Sequence, residues 1–509
     1  MAHRPMRWVA TLLAAVLAVT TLSGTPSGPT ARTESGPVEG VREHGVDSFL
    51  GIPYAAAPVG PLRWRPPRPA PRWAGVRDAD TFGDRCAALA STNGPRTESE
   101  DCLFVNVQRP AGTKPGDRLP VYVFIHGGGL ANGTSAQMDM ATFVRRTGVI
   151  GVTFNYRLGV LGFLRHPSLG ADSGNHGFQD QQAALRWVHR NIAAFGGSPA
   201  SVTVGGSSAG GWSVCGHLTA PASRGLFARA MIQSGSCTSI SQSDAMSAAT
   251  AFARNLGCDT ASCLRGRSTA ALLDAGAEFE PRLVAGTPTL PVAPADAVRA
   301  GRFARVPLVL GANRDEGRTF ALEMIGWSQA QYVAWVRGRF ATGADAVLAH
   351  YPWPADADPF TPAYLVGAIF TDSGLLTRIG GCGTRGSWTD FARWTRVYGY
   401  EFAHRTGPGL WPIPGYVWGA GHAAELAYLW PSFDNGTPIA PTFDAAERRL
   451  AAEMTRRWGA FIRGGDPWLP YGPKRRLLAL RADGQSGLID DAAYAADHRC
   501  ALWNKIRTP

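Results

Sequence analysis

The sequence predicts an α/β fold, with a mainly parallel central sheet flanked by helices and helical insertions over one end of it. Two observations carry this. Short apolar runs at 121–125, 149–154, 201–204, 229–233 and 306–310 alternate with stretches of helical spacing. Strand–helix–strand alternation argues for a parallel sheet covered on both faces. Several runs also end in glycine-rich turns: His126-Gly127-Gly128-Gly129 after the first and Gly205-Gly206 after the third. Ligands bind at the carboxyl ends of the strands in such sheets, so these turns mark the functional edge.

The N-terminal segment stands apart from that fold. His3, Arg4 and Arg7 precede an apolar stretch at 8–22, and a tract of small residues and proline follows to Ala31. This predicts a secretory signal peptide over 1–31, cleaved somewhere between Gly24 and Glu34. The apolar stretch is short against the roughly 20 residues of a membrane span. No cysteine follows it to take a lipid, and no later run is long enough to cross a bilayer. The remainder, 32–509, is expected to be one domain, since large α/β enzymes commonly exceed the usual domain length.

Composition narrows the function. The chain is 45% hydrophobic and 17% charged, which is globular. No repeat of about 20–50 residues appears, which excludes solenoids and propellers. The net charge is +11, but lysine occurs only at Lys114, Lys474 and Lys505, and the basic residues are scattered. Nucleic-acid binding would need a clustered stripe. Eight cysteines behind an export signal predict disulfides. None has zinc-ligand spacing, so neither a metal nor a cofactor is expected.

Along the chain, 32–107 is rich in proline, glycine and short β-like runs. A helix is predicted over 179–195, where Ala184, Leu185, Val188 and Ile192 recur at helical spacing before Gly196-Gly197. Segment 243–302 is alanine-rich and helix-like. Segment 327–415 reads as irregular, with several tryptophans and prolines. Both are expected to be insertions over the sheet.

The chemistry begins at Gly206-Ser207-Ser208-Ala209-Gly210, which fits G-x-S-x-G between a strand and a helix. A serine at such a sharp turn has its hydroxyl pushed out above the sheet, and small neighbours let backbones pass closely. Ser207 is a rival, but it has Ala209 at +2, so the register favours Ser208. The glycines after His126 would let backbone amides face a substrate oxygen. In this fold an acid and then a histidine follow the serine. By position either Asp315 or Glu316 could be the acid. His422, in a glycine-rich loop, leads His404, His217, His350 and His498 as the base.

At these residues the chain resembles the type-B carboxylesterase family, α/β-hydrolases that include cholinesterases and bile-salt lipases. The likeness extends to Phe49-Leu50-Gly51-Ile52-Pro53-Tyr54-Ala55, to Ser99-Glu100-Asp101-Cys102-Leu103, and to the segment from Val202 through Gly211. The resemblance implies a secreted serine esterase that cleaves small-molecule or lipid-like carboxylic esters through an acyl-enzyme. It implies a triad of Ser208, Glu316 and His422 and oxyanion donors at Gly128, Gly129 and Ala209. It implies disulfides Cys86–Cys102 and Cys258–Cys263. Cys500 looks like half of a third, with Cys382 its nearest candidate partner, which leaves Cys215 for Cys237. Ion pairs Arg63–Glu100 and Arg157–Asp180 are implied as well. Two departures stand out: Ser207 replaces the family's usual glutamate before the nucleophile, and the loop between Cys86 and Cys102 has no tryptophan for choline.

Overall fold

The computed structural model describes residues 28–506 apart from 376 and 483. Most of the expected signal peptide, 1–27, lies outside the described residues. Chain order begins ahead of residue 32: Thr30–Arg32 pairs antiparallel with Pro37–Glu39, and the Gly28 N–H donates to Glu39 Oε1 at 2.7 Å.

Among the described residues the dominant feature is an eleven-stranded mixed sheet. From one edge inward the strands are Val41–Glu43, Val46–Pro53, Phe104–Pro110, Ile150–Phe154, Leu119–Ile125, Gly197–Ser207, Arg229–Gln233, Leu308–Asn313, Val397–Phe402, Arg476–Leu480 and Gly487–Asp490. From Ile150–Phe154 to Arg476–Leu480 neighbours run parallel; the outer pairs are antiparallel.

The central strands show why an unbroken apolar run is needed here. Side chains of a strand alternate between its faces. Val121, Val123 and Ile125 enter one hydrophobic core, while Tyr122 and Phe124 enter the other on the opposite face. A strand buried on both sides has no polar positions to spare, so 121–125 reads as continuous rather than alternating.

Several elements are longer or more regular than the sequence suggests. The strand expected at 201–204 runs over Gly197–Ser207, and that expected at 306–310 occupies Leu308–Asn313. The segment read as irregular holds the helices Gln329–Phe340, Ala344–His350, Thr361–Ser373 and Gly381–Ala392, then the strand Val397–Phe402. The first of these buries Tyr332, Val336 and Phe340, one helical turn apart, and Ser328 and Gln331 form a capping box at its start. Gly381–Ala392 carries three glycines, which disfavour an isolated helix. It is held by tertiary contacts: the Trp388 indole donates to the Leu310 carbonyl at 2.8 Å, and Cys382 is bonded to Cys500. Short helices of this kind draw their stability from packing more than from local propensity.

The eight cysteines form four disulfides, Cys86–Cys102, Cys215–Cys237, Cys258–Cys263 and Cys382–Cys500. Arg63 Nε donates to Glu100 at 2.8 Å, and its guanidinium also reaches the carbonyls of Arg265 and Arg267. This ties the N-terminal region to the helical insertion. Arg157 and Asp180 form a buried two-pronged pair, each contact at 2.7 Å. Among the described residues no helix is long and apolar enough to cross a membrane.

Candidate active site

Three segments meet at the carboxyl ends of the parallel strands. The first is the turn between Gly197–Ser207 and the helix Ala209–Thr219. Ser208 occupies it with φ 55° and ψ −123°, a conformation few non-glycine residues adopt. The flanking glycines are sterically required. A Cβ on Gly206 would strike the backbone of Gly210, and one on Gly210 would overlap the Ile125 carbonyl. The strand can therefore turn into the helix only with both positions bare. The Ser208 N–H donates to the Gln233 carbonyl at 2.9 Å, anchoring the turn to the next strand.

The second segment follows Leu119–Ile125. Gly128 and Gly129 take φ of 98° and 65°, in the left-handed region. The Gly128 carbonyl accepts from the N–H groups of Ala131 and Asn132, both at 3.0 Å, which fixes the turn. Ala209 is the first residue of its helix, where an N–H has no intrahelical acceptor. Gly128, Gly129 and Ser208 border one cavity of about 440 Å³, whereas Ala209 is fully buried and is not among its described lining residues.

The third segment is the loop carrying His422. It is pinned from below by residues at the end of Leu308–Asn313. Asp315 and Ala420 exchange backbone and side-chain bonds, the Asp315 N–H to the Ala420 carbonyl at 2.9 Å and the Ala420 N–H to Asp315 Oδ2 at 3.1 Å. Asn313 Nδ2 donates to the Gly421 carbonyl at 2.7 Å, and Thr319 Oγ1 donates to the His422 carbonyl at 3.3 Å. Glu316, fully buried, places Oε2 2.5 Å from His422 Nδ1. Its other oxygen accepts the Asn313 N–H at 2.8 Å.

The two candidate acids thus separate. Asp315 faces away from His422 chemistry: Arg405 grips both its oxygens at 2.8 Å. Burial pushes the Asp315 carboxyl up, but the charges of Arg318 and Arg405 outweigh it and hold it below the ordinary value. For His422, burial pulls the imidazole down; the charge and hydrogen bond of Glu316 overcome this and raise it above the ordinary value. His422 lines the same cavity as Ser208.

The other histidines are engaged elsewhere. His217 is buried between Ser223 and Gln181 at 2.9 and 3.1 Å, and burial lowers its pKa to about 3. His350 bonds the Ala346 carbonyl on its own helix. His404 lies 3.3 Å from Glu447. His498 is enclosed by Asp372 and Glu401. His126, beside the glycine turn, stacks on Tyr156 at 4.4 Å, and burial lowers it to about 4. It stays neutral at neutral pH.

The family profile of carboxylesterases matches residues 27–476. This chain belongs to the carboxylesterase family. Fumonisin B1 esterase of Sphingopyxis macrogoltabida is 35% identical to it over 86% of this chain and 82% of that protein. Acylcarnitine hydrolase of Mus musculus is 33% identical over 88% and 86% of the two chains. Cocaine esterase of Oryctolagus cuniculus is 40% identical over 57% and 59%. The chain is a carboxylic ester hydrolase with the α/β-hydrolase fold.

Sequence reading missed three residues around the site of this carboxylesterase. Glu425 is fully buried; its Oε2 accepts from Asn313 Nδ2 at 2.7 Å. Burial, and then the charge of Glu316, push its carboxyl up to about 7. A signal existed: Glu425 is the sole charged residue in the otherwise apolar stretch Ala423-Ala424-Glu425-Leu426-Ala427. Trp212 and Arg282 also line the cavity. Trp212 stands one helical turn beyond Ser208, which is a local signal; nothing local in the sequence marks Arg282. At Ser207, where the family resemblance leads one to expect glutamate, the Oγ is buried without a partner among the described residues.

Proposed function

We propose that this carboxylesterase is a secreted serine hydrolase that cleaves small-molecule or lipid-like carboxylic esters by a two-step acyl-enzyme route, with Ser208, His422 and Glu316 as the triad. The observation that carries this reading is the contact of Glu316 Oε2 with His422 Nδ1 at 2.5 Å, behind a histidine that shares its cavity with the strained serine.

In the first step Ser208 Oγ attacks the acyl carbon while His422 Nε2 takes its proton. The carbonyl oxygen becomes an oxyanion facing the N–H groups of Gly128, Gly129 and Ala209, each worth about 3–4 kcal/mol of barrier in such sites. Collapse of this intermediate expels the alcohol, which takes the proton back from His422. Water then attacks the acyl-enzyme with His422 again as base, releasing the acid and free Ser208. Glu316 holds the imidazole's tautomer and stabilises its charged form.

Export rests on the basic and apolar N-terminal segment and on four disulfides, which persist in oxidising compartments. Cleavage would fall ahead of Thr30, where the first strand begins its pairing with Pro37–Glu39. The decisive experiment is labelling with a fluorophosphonate probe followed by peptide mapping. Label on Ser208, lost in Ser208→Ala, is the expected result. Label on Ser207, or none on protein that turns over nitrophenyl esters, would overturn the assignment.

A further inference from the structure

The cavity above Ser208 is not a neutral apolar pocket. Arg282 is the one Arg or Lys among its described lining residues, and no Asp or Glu lines it. The guanidinium lies over the Trp212 ring, 5.2 Å from its centroid. Trp212 is one turn along the helix from the serine; its backbone N–H donates to the Ser208 carbonyl at 3.0 Å. Its indole is buried, and among the described residues the indole N–H has no acceptor. Buried polar groups are nearly always hydrogen-bonded, so an unpaired donor at a ligand cavity asks for an acceptor. Of the five guanidinium N–H groups, the recorded acceptors are the Pro281 carbonyl and Glu280 Oε2, both at 3.0 Å. The Glu280 side chain is 81% exposed and free to swing into water.

We propose that Arg282 and the Trp212 indole form a carboxylate-recognition subsite, and that the preferred substrates are esters carrying a free carboxylate. This rests on the ester-hydrolase reading above and names its substrate class. A planar guanidinium matches a carboxylate in charge and geometry, and charge-assisted bonds of this kind are about twice as strong as neutral ones. The Trp212 ring face holds the guanidinium in place by a cation–π contact. No acidic residue is among the described lining residues of the cavity, and the carboxylate paired with the guanidinium, Glu280, is exposed and is the group an anionic substrate would displace.

The test compares matched esters. Mono-4-nitrophenyl glutarate against 4-nitrophenyl valerate places the carboxylate on the acyl side; 4-acetoxybenzoate against its methyl ester places it on the alcohol side. The expected result is that one anionic ester exceeds its neutral partner in kcat/KM. In Arg282→Gln that ratio should fall by about tenfold or more, chiefly through KM. Trp212→Phe, which keeps a smaller aromatic face and removes the N–H, should lower the same ratio by less. Arg282→Lys should restore part of it. An unchanged ratio in Arg282→Gln for both pairs would overturn the subsite. Failure to hydrolyse any ester would count against the hydrolase reading instead. In that event calorimetric binding of glutarate decides the subsite: binding to the wild type that Arg282→Gln abolishes supports it, and no binding to either refutes it.

Discussion

Glu316 and Glu425 are joined through a single residue, Asn313, whose backbone N–H donates to Glu316 Oε1 at 2.8 Å and whose side-chain amide donates to Glu425 Oε2 at 2.7 Å. Two carboxylates at the end of one strand therefore act on His422 together. Glu316 raises the imidazole by contact, and Glu425 adds to it through its charge. In the proposed mechanism His422 must be neutral to accept the Ser208 proton, so a raised value moves the acid limb of activity upward. The kcat/KM profile for a neutral ester should show its acid inflection above the ordinary histidine value of about 6.5. Glu425 ionises over the same range, near 7, so Glu425→Gln removes only the partial charge it carries there and should move that inflection modestly to lower pH. Identical profiles for the two proteins would refute the coupling.

Asp315 and Glu316 are chain neighbours with separable duties. Glu316→Gln removes the carboxylate from His422 Nδ1 and, if Glu316 orients His422 as proposed, should lower kcat by about three to four orders of magnitude, as loss of the orienting acid does in known triads. Asp315→Asn loosens the grip of Arg405 and the tie to Ala420. Arg405 is half exposed but Asp315 is buried and also pairs with Arg318, so the expected stability loss is about 1–3 kcal/mol, with kcat within about tenfold of wild type. Steady-state kinetics and thermal melts on both variants check this contrast. A kcat loss in Asp315→Asn as large as that in Glu316→Gln would refute it.

Ser207 provides a control for the nucleophile. Its hydroxyl is buried and unpartnered among the described residues, and deleting an unsatisfied buried polar group is close to neutral. Ser207→Ala should melt within about 0.5 kcal/mol of wild type and keep its fluorophosphonate label. Loss of labelling would point to a role for Ser207 in the chemistry.

His498 carries a different pH dependence, one of stability. It is fully buried, with Nδ1 2.6 Å from Asp372 and Nε2 2.8 Å from Glu401. Arg314 approaches the same ring, and Arg499 bonds Asp372. Burial pulls its pKa down, but the two carboxylates raise it to about 9. A folded value above the unfolded one of about 6.5 means the stabilisation is complete below pH 6.5 and is lost as pH rises through 9. Its size is on the order of 3 kcal/mol. Wild-type Tm should therefore fall across that window. His498→Gln should start lower at pH 6 and lose the decline. Parallel Tm curves would refute it.

The sequence by itself determined the strand–turn–helix around Ser208. Gly206 and Gly210 are bare because backbones touch there, and a steric demand of that kind is written into residue type. It determined the central strands too, since 121–125 is buried on both faces and must be apolar throughout. The helices between 327 and 415 were illegible because their glycines and prolines disguise short segments that only packing holds. Position along the chain likewise left Asp315 and Glu316 equivalent. The family resemblance pointed to Glu316, and the folded loop sets Glu316 against His422 while Asp315 holds Ala420 and Arg405. Glu425 and Trp212 are chain neighbours of His422 and Ser208, but Arg282 reaches the site from a distant insertion, and its place over Trp212 depends on long-range packing that no local pattern records.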